Sequence, residues 1–179
     1  METKCQYLFV ITPPAHLAEE IHKIRMAFAA QYNCKAALKP PVHITLIPNF
    51  WIFPRTEERI LWLNEWAATL PPFTVSLRNF GTFRQREVVF IDVEKSTELE
   101  TLHNGLLLVK NSLPSGTFRP IASFNPHITI GYRDIPKELY EQAVEDYMQK
   151  TFSADFTVNQ FELWRHNGQK WETLHSYKM

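Results

Sequence analysis

Two short stretches carry the same side chains in the same order. His43-Ile44-Thr45-Leu46 and His127-Ile128-Thr129-Ile130 each set a hydroxyl two residues after an imidazole, with an apolar residue between and another behind. On a β-strand, successive side chains point to opposite faces. The histidine and threonine of each copy therefore share one face, roughly 7 Å apart at the backbone, and the apolar residues take the other. Two such strands brought together would place two imidazoles and two hydroxyls in one cleft. That set suits a phosphodiester held between the histidines. A neutral imidazole takes a proton from the attacking oxygen, and a protonated one gives a proton to the leaving oxygen. Histidine reaches both forms near neutral pH because its unperturbed pKa is about 6.5. The hydroxyls of Thr45 and Thr129 can donate to the non-bridging oxygens, where charge builds in the transition state. The scheme needs no metal, and it leaves open which histidine is the base.

One His-apolar-Thr-apolar strand is most often ordinary sheet. Two in a chain with seven histidines are expected in fewer than about one random sequence in a hundred. The other histidines form no comparable set. His16 and His22 lie six apart on a predicted helix, outside the spacing of three or four that brings side chains together. His103 stands alone on a later helix, and His166 and His175 flank a hairpin without a carboxylate or cysteine pattern beside them. Cys5 and Cys34 are the only cysteines, so neither a cysteine zinc site nor a disulfide framework is expected. Neither a GxGxxG nor a Walker-type loop occurs, which weakens any reading as an ATP-driven ligase.

The elements that must position the histidines follow from hydrophobic spacing. Strands are predicted at Tyr7–Thr12, Val42–Ile47, Phe73–Phe83, Val88–Val93, Pro126–Tyr132, Phe152–Arg165 and Trp171–Tyr177. Asn167-Gly168 marks the last turn as a hairpin. Helices are predicted at Ala15–Tyr32, Glu57–Leu70, Thr97–Leu113 and Lys137–Lys150. Each half then reads strand, helix, His-Ile-Thr strand, helix, strand. The histidines lie 84 residues apart, and the flanking elements repeat at nearly the same offset. Two pseudo-symmetric lobes facing each other fit an internal duplication of this kind.

The chain has 179 residues, 19 Lys+Arg against 19 Asp+Glu, and no formal net charge. Bulk charge of this kind does not suit coating of long nucleic acid, though a local patch can still hold a nucleotide or an RNA end. The apolar run Tyr7–Ile11 is too short to span a membrane. A cytoplasmic monomer is expected.

At the duplicated motifs the sequence resembles the two-histidine phosphoesterase superfamily, whose signature is His-x-Thr/Ser-x written twice about half a chain apart. Within it the chain is most similar to the bacterial 2'-5' RNA ligase-like group, also described as RNA 2',3'-cyclic phosphodiesterases. The resemblance implies a bilobal α+β fold spanning residues 1–179 as one domain, with an antiparallel sheet in each lobe lining a central cleft and helices outside. It implies opening of 2',3'-cyclic phosphates on RNA ends or small cyclic nucleotides, without cofactor or metal. His43, Thr45, His127 and Thr129 would be the catalytic set. The alternatives it leaves are a reversible 2'-5' RNA ligase and a non-catalytic module that binds a nucleotide or RNA end. Similar members carry a basic residue shortly after the second motif, which points to Arg133 as a phosphate contact on the face of His127 and Thr129. They also carry an aromatic near the cleft, where Phe83 stands and could stack a base.

Overall fold

The computed structural model describes residues 3–114 and 123–179. Eight strands form two antiparallel sheets of four. They are β1 (Cys5–Ile11), β2 (Ile44–Ile52), β3 (Phe73–Phe83), β4 (Val88–Val93), β5 (His127–Gly131), β6 (Ser153–Val158), β7 (Gln160–His166) and β8 (Trp171–Lys178). The first sheet runs in the order β2-β1-β7-β8 and the second in the order β5-β4-β3-β6. The helices are α1 (Ala15–Tyr32), α2 (Leu63–Ala67), α3 (Thr97–Leu107), α4 (Val109–Ser112) and α5 (Lys137–Met148). This is the expected α+β duplication: β1-α1-β2 is repeated as β4-α3-β5, and each motif strand forms one end of its own sheet.

The two copies are interlaced. β3 follows the first copy in the chain, yet it pairs with β4 of the second sheet. β7 follows the second copy and pairs with β1 of the first. One apolar cluster joins the lobes, running from Phe9 and Ile44 through Phe28 and Tyr147 to Ile91 and Ile128.

Helix α1 begins after Pro13-Pro14 and ends at Asn33, whose left-handed φ of 50° lets its N–H bond the carbonyl of Ala29. Its buried stripe is Leu17, Ile21, Arg25, Phe28, Ala29 and Tyr32. A cation thus sits where the helical period calls for an apolar residue. In α3 the Ser96 side chain accepts from the Leu99 N–H at 3.1 Å and fixes the start of the helix. The buried stripe Leu99, Leu102, His103 and Leu106 follows.

Two predicted elements divide. The helix expected over Glu57–Leu70 is a 3₁₀ segment, Pro54–Ile60, followed by the short α2. Glu57 accepts hydrogen bonds from Tyr7 at 2.5 Å and Arg165 at 3.3 Å, and these anchor the tighter turn. The strand expected over Phe152–Arg165 is β6 and β7, which belong to different sheets. β6 alternates exposed and covered residues as a sheet edge does, whereas Phe161–Trp164 is buried on both faces, as in an inner strand. Among the described residues no helix is long and apolar enough to cross a membrane.

Candidate active site

The two motif strands are the facing ends of the two sheets. β2 and β5 run close together, but no ladder of hydrogen bonds joins them. The chain enters each strand through prolines, Pro40-Pro41 and Pro126, which restrict the backbone just before the histidine. Both imidazoles are then tied in the same way. His43 Nδ1 lies 2.8 Å from the Pro41 carbonyl, and His127 Nδ1 lies 2.7 Å from the Asn125 carbonyl, in each case two residues upstream. A carbonyl can only accept, so Nδ1 carries the proton and Nε2 is the nitrogen left for other work.

Each ring is also held from the side. Trp164 of β7 lies 5.0 Å from the His43 ring. Trp164 is itself fixed by its indole N–H, which donates to Glu162 at 2.6 Å. That buried carboxylate accepts from Thr12 and Thr173 as well. Phe83 meets the His127 ring edge-on at 5.0 Å, and Phe90 packs against both. Thr45 lies opposite Val10 in the first sheet and Thr129 opposite Phe90 in the second, both half-buried.

A cavity of about 710 Å³ opens over this arrangement. Thr45, His127 and Phe83 line it, as do Arg84, Arg86, His103 and Phe124. His43 and Thr129 are not among its lining residues. His43 is close enough to His127 to feel its charge.

Arg133 is not on this wall. β5 ends at Gly131, and Arg133 has a left-handed φ of 67°. It is exposed and rests over the Tyr132 ring. The alternation that was to keep it beside His127 stops because the chain is drawn aside: Asp134 accepts the backbone N–H groups of Lys35 and Ala36. The cations at the cavity come instead from the turn between β3 and β4. Arg84 is paired with Glu141 at 2.7 Å, whereas Arg86 has no carboxylate partner among the described residues and lies near His127. That turn is legible as Arg84-Gln85-Arg86, but nothing in its spacing says that it faces the cleft.

His103 is a second addition. Its Nδ1 lies 2.8 Å from the Leu46 carbonyl of β2, and its ring stacks on Phe124 at 4.0 Å and 7°. Arg25 is a third, and an i, i+4 charge within the stripe Leu17-Ile21-Arg25 was the available signal. Among the described residues, no group of three or more His, Cys, Asp or Glu side chains is placed to hold a metal ion.

Burial sets the titration of the histidines. It pushes His43 down to about 4, helped by the nearby charges of Arg25 and His127 and opposed by the Pro41 carbonyl. His127 is lowered by burial and by Arg86, against the pull of the Asn125 carbonyl and Asp92. His103 is lowered by burial, against the Leu46 carbonyl and Glu100. Below about 6.5 the unfolded chain therefore binds protons that the folded chain refuses, and stability falls as the pH falls. Urea midpoints should decrease steadily from about pH 7 to about pH 4.5, and His103→Gln should flatten part of that slope. A midpoint that rises on acidification would contradict the buried neutral state of these rings.

Paired His-x-Thr strands at the meeting ends of two antiparallel sheets define a two-histidine phosphoesterase. The chain belongs to the 2'-5' RNA ligase superfamily, whose family model matches residues 13–170. No curated protein sequence matches it. Among solved structures it is similar to E. coli LigT complexed with 3'-AMP, with a TM-score of 0.71, 20% identity and 98% of each chain covered. It is also similar to the TT0787 protein of Thermus thermophilus, at TM-score 0.64, 21% identity and 97% of each chain. Kluyveromyces marxianus Usb1 shares the fold more distantly, at TM-score 0.50 and 12% identity over 97% of each chain.

Proposed function

We propose that this protein is a metal-independent phosphodiesterase that opens 2',3'-cyclic phosphates on RNA ends or small cyclic nucleotides. The observation that carries the proposal is the matched tethering of His43 and His127. Both hold Nδ1 on a carbonyl two residues back, which reserves Nε2 of each ring for proton transfer. In the reaction, a water oxygen attacks phosphorus and gives its proton to one Nε2. The bond from phosphorus to one ribose oxygen breaks, and that oxygen takes a proton from the other Nε2. A phosphomonoester and a free hydroxyl result, and solvent restores the two protonation states. Thr45 and Thr129 donate to the non-bridging oxygens, and Arg86, which has no carboxylate partner among the described residues, offers positive charge at the cavity. Phe83 and Phe124 give the cavity aromatic walls suited to a nucleobase.

A nucleotide ligand agrees with the solved relatives, since E. coli LigT was crystallised with 3'-AMP, with ATP and with NADP+. On this reading residues 1–179 act as one bilobal domain and as a monomer.

The test is a panel of RNA oligonucleotides ending in 2',3'-cyclic phosphate, together with the four cyclic mononucleotides. The expected product is a phosphomonoester end, with turnover unchanged by EDTA, because two histidines and two threonines offer too few strong ligands for a catalytic zinc ion. Joined product would favour the ligase, and binding without turnover the recognition module. Loss of turnover in EDTA, restored by one divalent ion, would overturn the mechanism.

A further inference from the structure

His103 is a histidine of the cavity wall that the phosphodiester scheme does not use. Helix α3 carries it on its buried stripe, and it is 5% exposed. Its ring is held in one orientation. Nδ1 lies 2.8 Å from the carbonyl of Leu46, the residue after Thr45 in the first motif strand. One face of the ring lies on Phe124, three residues before His127, with centroids 4.0 Å apart and 7° between the planes. The ring thus stands between the two motifs without belonging to either.

A carbonyl only accepts, so Nδ1 carries the ring proton. Burial favours the neutral ring, against the pull of the Leu46 carbonyl and Glu100. Nε2 of a neutral ring protonated at Nδ1 accepts and cannot donate. It has no hydrogen-bond partner among the described residues. Its neighbours on the wall, Leu46 and Phe124, have apolar side chains that offer it none. A buried acceptor is unfavourable until a donor meets it, and the cavity is the side open to one.

We propose that His103 is a specificity-determining residue of the cleft: its Nε2 accepts from the exocyclic amine of the substrate's nucleobase, so the protein selects amino-bearing bases over their keto counterparts.

This deepens the phosphodiesterase reading and rests on it for the identity of the substrate. The chemistry of that substrate leaves one source of donors. Phosphate oxygens only accept. In a 2',3'-cyclic phosphate both ribose oxygens of the ring are esterified, and in an RNA end the 5' oxygen is too. The base alone keeps N–H groups. Cytosine and uracil have the same outline and differ in an amine against a carbonyl, and adenine and hypoxanthine differ in the same way. The keto bases keep a ring N–H, but the carbonyl beside it turns an oxygen lone pair toward that of Nε2. An acceptor fixed by a tether and a stack cannot swing away to relieve the clash.

The experiment measures binding of nucleoside 3'-phosphates, which have no ring to open, by isothermal titration calorimetry at pH 7.5. The probes are cytidine against uridine and adenosine against inosine. Sugar and phosphate are shared within each pair, so the difference reports on the base. A preference of about tenfold or more for the amino member of either pair is expected, the usual size for leaving a buried polar group unmatched. His103→Phe keeps a ring on Phe124 and removes the acceptor, and it should bring each pair close to equality. His103→Gln keeps one donor and one acceptor and should restore part of the preference. A histidine that only braced β2 would weaken both members of a pair alike when replaced. Equal binding within both pairs in the wild type would overturn the proposal, as would a preference that survives in His103→Phe or failure of all four nucleotides to bind. If His103→Phe does not fold, the ¹⁵N resonance of His103 Nε2 decides. It should move on addition of the amino member of the selective pair and move less with the keto member, and equal movement would overturn the assignment. If the protein opens no cyclic phosphate, the phosphodiesterase reading fails, and the binding series still tests His103.

Discussion

Alanine at His43 or at His127 should lower kcat/KM on a cyclic-phosphate substrate by at least about a hundredfold, the low end for loss of a general acid or base. The two losses are not independent. One proton must arrive as another leaves, so the double variant falls little below the worse single variant. Thr45→Val and Thr129→Val remove hydroxyls that do not titrate in this range, and they should cost less and leave the bell-shaped pH profile in place. The expected shape is a rise through the pKa of the base and a fall through that of the acid, with the limbs belonging to the coupled pair. Single-turnover assays across pH on the wild type and these variants make the comparison. A His43→Ala enzyme with near wild-type activity would reduce the duplicated motif to architecture.

Trp164→Ala is expected to be the most destabilising single change near the site. The indole is 2% exposed. It packs with Leu8, Val10 and Trp171 and backs the His43 ring. Emptying such a position costs about 3–5 kcal/mol, or about 6–20 °C in Tm for a domain of this size. Trp164→Phe keeps a ring there but takes one of three donors from the buried Glu162 carboxylate, at a cost of about 1–3 kcal/mol. Differential scanning calorimetry should rank the variants wild type, Phe, Ala. Activity measured well below the new midpoint should remain reduced in Trp164→Ala, because His43 has lost its lateral support. An alanine variant that melts with the wild type would show that the indole neither packs nor positions.

Local signals were legible where chain chemistry alone decides the structure. Helix α1 matches its predicted bounds because Pro13-Pro14 opens it and Asn33 turns out of it in a left-handed conformation. β3 and β4 match because Pro71-Pro72 precedes the first and the turn ending at Glu87, with φ 50°, divides them. The duplication was legible because it repeats side chains at a nearly constant offset. What spacing does not encode is partnership between distant segments. Nothing local to Ser153–His166 shows that its two parts join different sheets. Arg133 follows strand alternation on paper, and a capping contact from Asp134 to residues 35 and 36 takes it away. Arg25 was visible as a charge in an apolar stripe, but its meaning depends on carbonyls 15 and 104 residues away.

The interlacing of the copies also orders the birth of the protein. The second sheet draws its strands from Phe73 to Val158 without interruption, so all four are present once that stretch has left the ribosome. The first sheet is different. β1 and β2 emerge early, but the strand that closes the other side of β1 is Gln160–His166, made only after the whole second sheet. Until then Tyr7, Phe9 and Val10 sit on a two-stranded ribbon, which is marginal by itself in water. His43 lacks its Trp164 backing for the same interval. A chain that stops after β6 would hold both motifs and a complete second sheet and still have no finished first lobe. Possession of both His-x-Thr motifs and possession of a finished cleft are thus separated in time, and translation of β7 and β8 joins them.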